Sequence, residues 1–202
     1  PGVPLVFAVA EPELEDCLKA AGHDCLLTDP DLPSGTDRIA MANRQIRARQ
    51  VINVQADEPV LQATHLSSLM KMLEVGFDVA TVATSFSSDA DFRDPNKVKA
   101  VINKDGQALY FSRAPVPYAR DSSGRLPENA YWHMGLYAYT ADVLEQFLSW
   151  KPSRLELTER LEQLRVLENG GRIGVAISAS RTVGVDVPED LEQLEAFLPI
   201  AD

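Results

Sequence analysis

The sequence predicts an α/β fold: a mostly parallel sheet flanked by helices, with a smaller antiparallel insert. Short apolar runs alternate with stretches of helical spacing, which is the rhythm of βαβ units. That rhythm breaks once, at two apolar runs around Lys104-Asp105-Gly106, where Asp-Gly is a strong hairpin signal. With 202 residues, 45% of them hydrophobic, the chain can bury one sizeable core. A single domain over 1–202 is therefore expected, its insert spanning about 93–135.

Leu5 to Ala10 ("LVFAVA") reads as a buried strand. Leu14, Cys17, Leu18 and Ala21 then recur at helical spacing, and Gly22 is a natural stop. "DCLLTD" is a second strand. "PDLPSGTDRIAMANRQI" passes from a Pro/Ser/Gly loop into a helix that Ser34 or Thr36 can cap. "QVINVQ" gives a third strand, "THLSSLMKMLEVG" a helix ending at Gly76, and "DVATVATSF" a strand rich in β-branched residues. After the hairpin, "YWHMGLYAYTADVLEQFLSW" is a strand leading into a helix. "SRLELTERLEQLRVLENG" predicts one further helix, with Leu157, Leu161, Leu164 and Leu167 along one face. A strand ("RIGVAISA"), an acidic loop and a helix close the chain.

The net charge of −11 argues against a nucleic-acid polymer or an anionic membrane as partner. Small anionic substrates need only a local basic pocket or a metal ion. Cys17 and Cys25 are too few for a disulfide framework and read as free thiols. No apolar stretch reaches the roughly 18 residues of a membrane span and no basic-then-apolar leader is present, so a cytoplasmic protein is expected.

Asp57 and Glu58 follow the apolar run "VINVQ", at the carboxyl end of a strand, where open α/β sheets bind ligands. A carboxylate there suits Mg²⁺; the motif alone suits a helix start better. Asp186, in "VGVDVPED", has the same two readings, and the two aspartates could share a cation if their strands are neighbours. In "PSGTDR" the amides around Ser34 and Gly35 can hold a phosphate or a base edge, with Arg38 adding charge, or the loop is simply a turn. Arg113 and Arg120 bracket two prolines; such a stiffened pair suits a carboxylated ligand, or makes surface salt bridges. His133 and Tyr137 share a strand face by their even spacing, in a site or as a half-buried core pair. Of Glu162 and Gln163, one can point into a cleft, or both belong to a solvated helix face.

Taken together and in order, "SGTDRIA", "VINVQADEP", "DPNKVKAVINKDGQALYFSRAPVPYARD", "HMGLYAY", "LELTERLEQLRVLENGGRI" and "GVDVPEDLE" resemble the 3-deoxy-manno-octulosonate (KDO) cytidylyltransferase family. The resemblance implies a nucleotidyltransferase-like (Rossmann-like) fold, and the formation of CMP-KDO and pyrophosphate from CTP and KDO with Mg²⁺, for lipopolysaccharide biosynthesis. It implies a homodimer joined through the insert. By the same resemblance Asp57 and Asp186 are the catalytic, metal-binding aspartates. Gln55, Arg113, Arg120, His133, Tyr137, Glu162 and Gln163 match the sugar-binding positions, and Ser34, Gly35 and Arg38 match the nucleotide loop.

Two departures stand out. The family begins with a strand, a nucleotide loop bearing Arg and Lys, and a helix; here only "PGVPL" resembles that loop, with Val3 in place of the Lys, so these elements are expected to be missing. Ala56 stands where the family usually has Gly, and its methyl disfavours positive φ and close ligand approach. These departures keep open a catalytically impaired homologue retaining fold, sugar binding or dimerisation. Another α-keto acid sugar, such as a sialic acid, is the other alternative substrate.

Overall fold

The computed structural model describes residues 3–55 and 61–179. Strand β1 (Phe7–Val9), helix α1 (Pro12–Ala20) and strand β2 (Cys25–Leu27) form a parallel βαβ unit, with Phe7 opposite Cys25. Helix α2 (Gly35–Ile46) follows, then strand β3 (Gln50–Asn53), helix α3 (Ala63–Glu74) and strand β4 (Val79–Ser85). A short helix α4 (Asp89–Arg93) precedes the hairpin of β5 (Lys99–Ile102) and β6 (Ala108–Ser112). Gly106 closes that hairpin at φ +79°, a left-handed conformation that explains the Asp-Gly turn. Strand β7 (Tyr131–Thr140), helix α5 (Ala141–Ser149), helices α6 (Arg154–Glu159) and α7 (Gln163–Glu168), and strand β8 (Ile173–Ile177) complete the described chain.

Among the described residues six strands form the main sheet, and β7 is its axis. Along one edge β7 pairs antiparallel with all of β4, which in turn pairs parallel with β8. Two strands share its other edge: β3 pairs with its last residues, Tyr137 to Thr140, and β5 with its first, Tyr131 and Trp132. Strands β3, β4, β5 and β8 run one way, β7 and β6 the other. The hairpin expected as an antiparallel insert is thus continuous with the main sheet through β5 and β7.

Each face of the sheet carries a core. Val79, Ala83, Phe111 and Tyr139 pack on one side with Val143, Phe147 and Leu164; Ala80, Val82, Leu136 and Ala138 pack on the other with Leu69 and Leu73. The odd-even split along β4 and β7 is the two-residue period of a strand buried on both faces.

One expectation is overturned. The single helix over 153–170 is two helices, broken at Arg160, which has φ +54°. Leu161 and Leu164 are buried as their spacing suggests, but Leu157 is 54% exposed and belongs to no core face. What competes with helical continuity is a buried ion pair: Arg165 Nε donates to Glu156 Oε2 at 2.7 Å, with a second contact from its Nη2 to Oε1. The same Glu156 closes the capping box at Ser153, and the Arg165 guanidinium lies 4.2 Å from the Phe147 ring centroid. Satisfying all three pulls α7 back across α6 instead of letting it continue.

Candidate active site

Because β3 and β5 meet the same edge of β7 at opposite ends, residues between them on β7 have no strand beside them there among the described residues. A cleft of about 680 Å³ opens at this fork. Its lining includes Asn53 and Gln55 at the end of β3, Gly35 and Thr36 at the start of α2, and His133, Gly135, Tyr137 and Tyr139 along β7. The segment 94–98 forms one wall, and Arg160, Leu161, Glu162 and Gln163 form another.

The floor is set by β7. A bulge between Thr81 and Val82 of β4 leaves Gly135 and Leu136 without register partners, and because two residues are inserted, His133 and Tyr137 stay on one face. Their rings are 5.4 Å apart, and Tyr137 stacks on Tyr139 at 5.8 Å. His133 is 8% exposed, and burial pushes its pKa down to about 3, so the imidazole is neutral at physiological pH. Its Nε2 lies 2.9 Å from Thr81 Oγ1, whose one proton has a carbonyl acceptor in Leu136 O at 2.8 Å. Nε2 is therefore assigned as the donor, which leaves Nδ1 as an acceptor. Burial, with the neighbouring Tyr139 and Glu162 adding to it, raises the Tyr137 pKa well above the usual phenol range. Tyr139 is also shifted upward, burial and Glu162 outweighing the hydrogen bond of Thr36. Both phenols are neutral donors.

The break at Arg160 builds the opposite wall. By ending α6, it presents Glu162 and Gln163 at the cleft instead of on an outer helix face. Thr36 Oγ1 donates to Glu162 Oε2 at 2.8 Å, which joins this wall to the α2 terminus. At that terminus Ser34 is the cap: its Oγ accepts from Asp37 N at 3.2 Å and donates to Asp37 Oδ2 at 2.7 Å. The positive end of a 12-residue helix thereby opens beside Gly35 and Thr36. A side chain added at Gly35 would meet no atom of the described residues within 4 Å.

Of the candidates from sequence, Gly35, Gln55, His133, Tyr137, Glu162 and Gln163 converge on this cleft. Ser34 stands next to it as the cap. Arg38 is turned to β2, where it donates to Thr28 Oγ1 and, at 3.3 Å, to Asp29 O. Arg113 does not line the cleft; it donates to three carbonyls, those of Glu159 (2.7 Å), Pro95 (3.0 Å) and Arg160 (3.3 Å). Arg120 starts an exposed 3₁₀ turn, Arg120–Ser122, and does not line the cleft either. Asp57, Asp186 and Ala56 lie outside the described residues. Asn53 and Tyr139 were not singled out from sequence, and Thr36 was read only as an alternative cap to Ser34; Tyr139 carries a signal in its even spacing from Tyr137, while the contact of Thr36 with Glu162, 126 positions away, carries none.

Cys17 and Cys25 are free thiols, and among the described residues no helix is long and apolar enough to cross a membrane. Nor do the described residues contain a group of three or more His, Cys, Asp or Glu side chains that could hold a metal ion.

Comparison with known proteins assigns the fold and the family. A family described as cytidylyltransferase matches residues 5–173. A 3-deoxy-manno-octulosonate cytidylyltransferase of Acidobacterium capsulatum is 40% identical over 194 residues, covering 96% of this chain and 78% of its own length. The protein of the same name from Paramagnetospirillum magneticum is 42% identical, with 96% and 80% covered. The solved structure of CMP:2-keto-3-deoxy-manno-octonic acid synthetase complexed with CTP matches with a TM-score of 0.89 at 34% identity, over 96% of this chain and 80% of that one. HddC from Yersinia pseudotuberculosis, at 13% identity and a TM-score of 0.62, shares the fold alone. With six candidate positions converging on one cleft and these relatives alongside, the chain belongs to the 3-deoxy-manno-octulosonate cytidylyltransferase family.

Proposed function

We propose that this chain activates KDO: a hydroxyl of the sugar attacks the α-phosphorus of CTP, the bond to pyrophosphate breaks, and CMP-KDO forms as the hydroxyl proton is lost. The observation that carries this reading is the convergence of candidate nucleotide and sugar positions, Gly35 with Gln55, His133, Tyr137, Glu162 and Gln163, on one cleft. Its product would serve lipopolysaccharide biosynthesis, in the cytoplasm.

Each wall has a separate task. The amides of Gly35 and Thr36, at the positive end of α2, suit the anionic nucleotide, with Ser34 and Arg38 holding that turn. His133 Nδ1 accepts a sugar hydroxyl, since a neutral imidazole with Nε2–H committed to Thr81 has that lone pair to offer. Tyr137 donates, and Glu162, oriented by Thr36, accepts. Arg113 and Arg120 act on the sugar side from outside the cleft lining, Arg113 by holding backbone in place. Catalysis on this plan is mostly orientation of two substrates.

Mg²⁺ fits the donor chemistry of Asp57 and Asp186, because hard divalent ions take carboxylate oxygens together with substrate phosphates. Gln55 lines the cleft and Asp57 follows it by two positions. When bound, the ion would neutralise charge developing on the phosphates. Homodimerisation through the 93–135 segment belongs to the same proposal. The decisive experiment mixes the protein with CTP, KDO and Mg²⁺ and measures pyrophosphate. Release that requires all three is expected, with chelation abolishing it; none from folded protein would sink the reading. Equal release with a sialic acid would shift the substrate.

A further inference from the structure

Two charged side chains outside the cleft tie its walls together. Lys99 is fully buried, and its Nζ donates to Asp94 O at 2.7 Å and Arg113 O at 2.8 Å. Glu159, the last residue of α6, accepts from Ser112 Oγ at 2.7 Å, Arg113 N at 2.9 Å and Tyr110 Oη at 3.4 Å. Between them runs Arg113, whose guanidinium reaches the carbonyls of Pro95, Glu159 and Arg160. Pro95 sits in the wall of residues 94–98, and Arg160 begins the wall that carries Glu162 and Gln163.

Placing a lysine and a carboxylate at the root of a hairpin is costly in desolvation, and apolar side chains could fill such a site without that cost. What charged groups add here is registry: Lys99 meets two carbonyls and Glu159 accepts from three donors, and a slip of either wall breaks several bonds at once. Burial presses the Lys99 pKa below the usual lysine range, with Asp94 and Glu159 pulling the other way.

We propose that Glu159 and Lys99 are positioning residues for the sugar half of the reaction: by fixing Arg113 they set the separation of the 94–98 and 160–163 walls. This rests on the reading of Glu162 and Gln163 as sugar contacts. Neither residue lines the cleft, so each acts through Arg113.

Pyrophosphate-release kinetics with CTP and KDO varied separately test the proposal. Glu159→Gln keeps the shape but can turn an amide N–H toward Arg113 N–H, and a rise of about 10-fold or more in the sugar KM is expected, with the CTP KM within about 2-fold. Lys99→Met should act in the same direction. Glu74→Gln, exposed at the end of α3 and outside the cleft lining, is the control and should leave both constants unchanged. Equal rises in both KM values, or no rise, would overturn the proposal, since a merely structural group would not separate the substrates. Should Glu159→Gln fail to fold, Ser112→Ala removes one partner of the carboxylate; a sugar-selective rise of about 3-fold supports the proposal and its absence refutes it. Failure of the wild-type protein to turn over KDO would remove the functional reading itself, whereas normal wild-type turnover with unselective variants removes only this inference.

Discussion

The floor of the cleft and its opposite wall are built on different principles. The floor is β7, locked along one edge by β4 and flanked on the other by β3 and β5; its site residues are rings, His133 buried and Tyr137 half-buried, held neutral by desolvation. The wall is a break between two six-residue helices, held open by an ion pair and a left-handed residue. A sheet floor tolerates loss of one contact because its ladder remains. A wall made by interrupting a helix depends on the few groups that keep it interrupted. The difference predicts where substitutions hurt most.

The largest effect is therefore expected at Glu156. Its Arg165 partner is as buried as it is, and although burial alone would raise the Glu156 pKa, the hydrogen bonds of Arg165 and of Ser153 N outweigh it and hold it down. Glu156→Ala leaves the guanidinium uncompensated and should cost about 3–5 kcal/mol. For a chain of this size that is a Tm drop of roughly 10 °C by calorimetry. A drop under about 3 °C would mean that the pair does not hold the break.

Next comes Glu162→Gln, which keeps an acceptor for Thr36 but removes the charge offered to the ligand. A loss of roughly 10–100-fold in kcat/KM for the sugar is expected, with little change in Tm, as for a hydrogen bond to a charged group. Retention of kcat/KM within about 3-fold would move Glu162 from ligand contact to wall support.

At the floor, His133 links burial to pH. Its folded pKa of about 3 lies below the value of about 6.5 of a free histidine, so between these limits the unfolded chain binds a proton that the folded chain does not. Stability is unaffected above pH 6.5 and falls as pH drops below it, by at most about 1.4 kcal/mol per pH unit. Denaturant titrations of wild type and His133→Asn between pH 7 and 5, above most carboxylate titrations, should show the variant's stability falling less steeply. Parallel slopes would show that His133 is protonated without opposition.

How much of this could be read in advance follows the same division. The floor was legible because period-two alternation is local: "YWHMGLYAY" places His133 and Tyr137 on one face without any knowledge of the sheet. The helix start was legible in the same local way, with Ser34 or Thr36 as its cap, of which the structure uses Ser34; β3 ends at Asn53, two residues short of the strand read through Gln55. The wall was not. Leu157, Leu161, Leu164 and Leu167 satisfy a helical stripe, and what defeats it is a pair nine residues apart whose burial depends on Phe147, on another helix. The arginines show a third case. Residue type announced cations at 38 and 113, but their partners are backbone carbonyls and a hydroxyl brought close only by tertiary folding, which composition cannot foresee.

The smallest expected effect is the sharpest test of the comparison, because it asks whether the wall is made by backbone or by side chain. Arg160 holds φ +54°, a conformation costing an ordinary residue about 1–2 kcal/mol. Arg160→Gly relieves that strain but enlarges the freedom of the unfolded chain by about 0.4–1 kcal/mol. The net should be a gain of up to about 1 kcal/mol, or roughly 2–4 °C in Tm. The carbonyl of residue 160 survives the change, and so does its hydrogen bond from Arg113. If the backbone break alone shapes the wall, the sugar KM should stay within about 2-fold while Tm rises. A large KM rise with the same Tm gain would instead assign the side chain of Arg160, a residue of the cleft lining, a direct part in holding an anionic substrate.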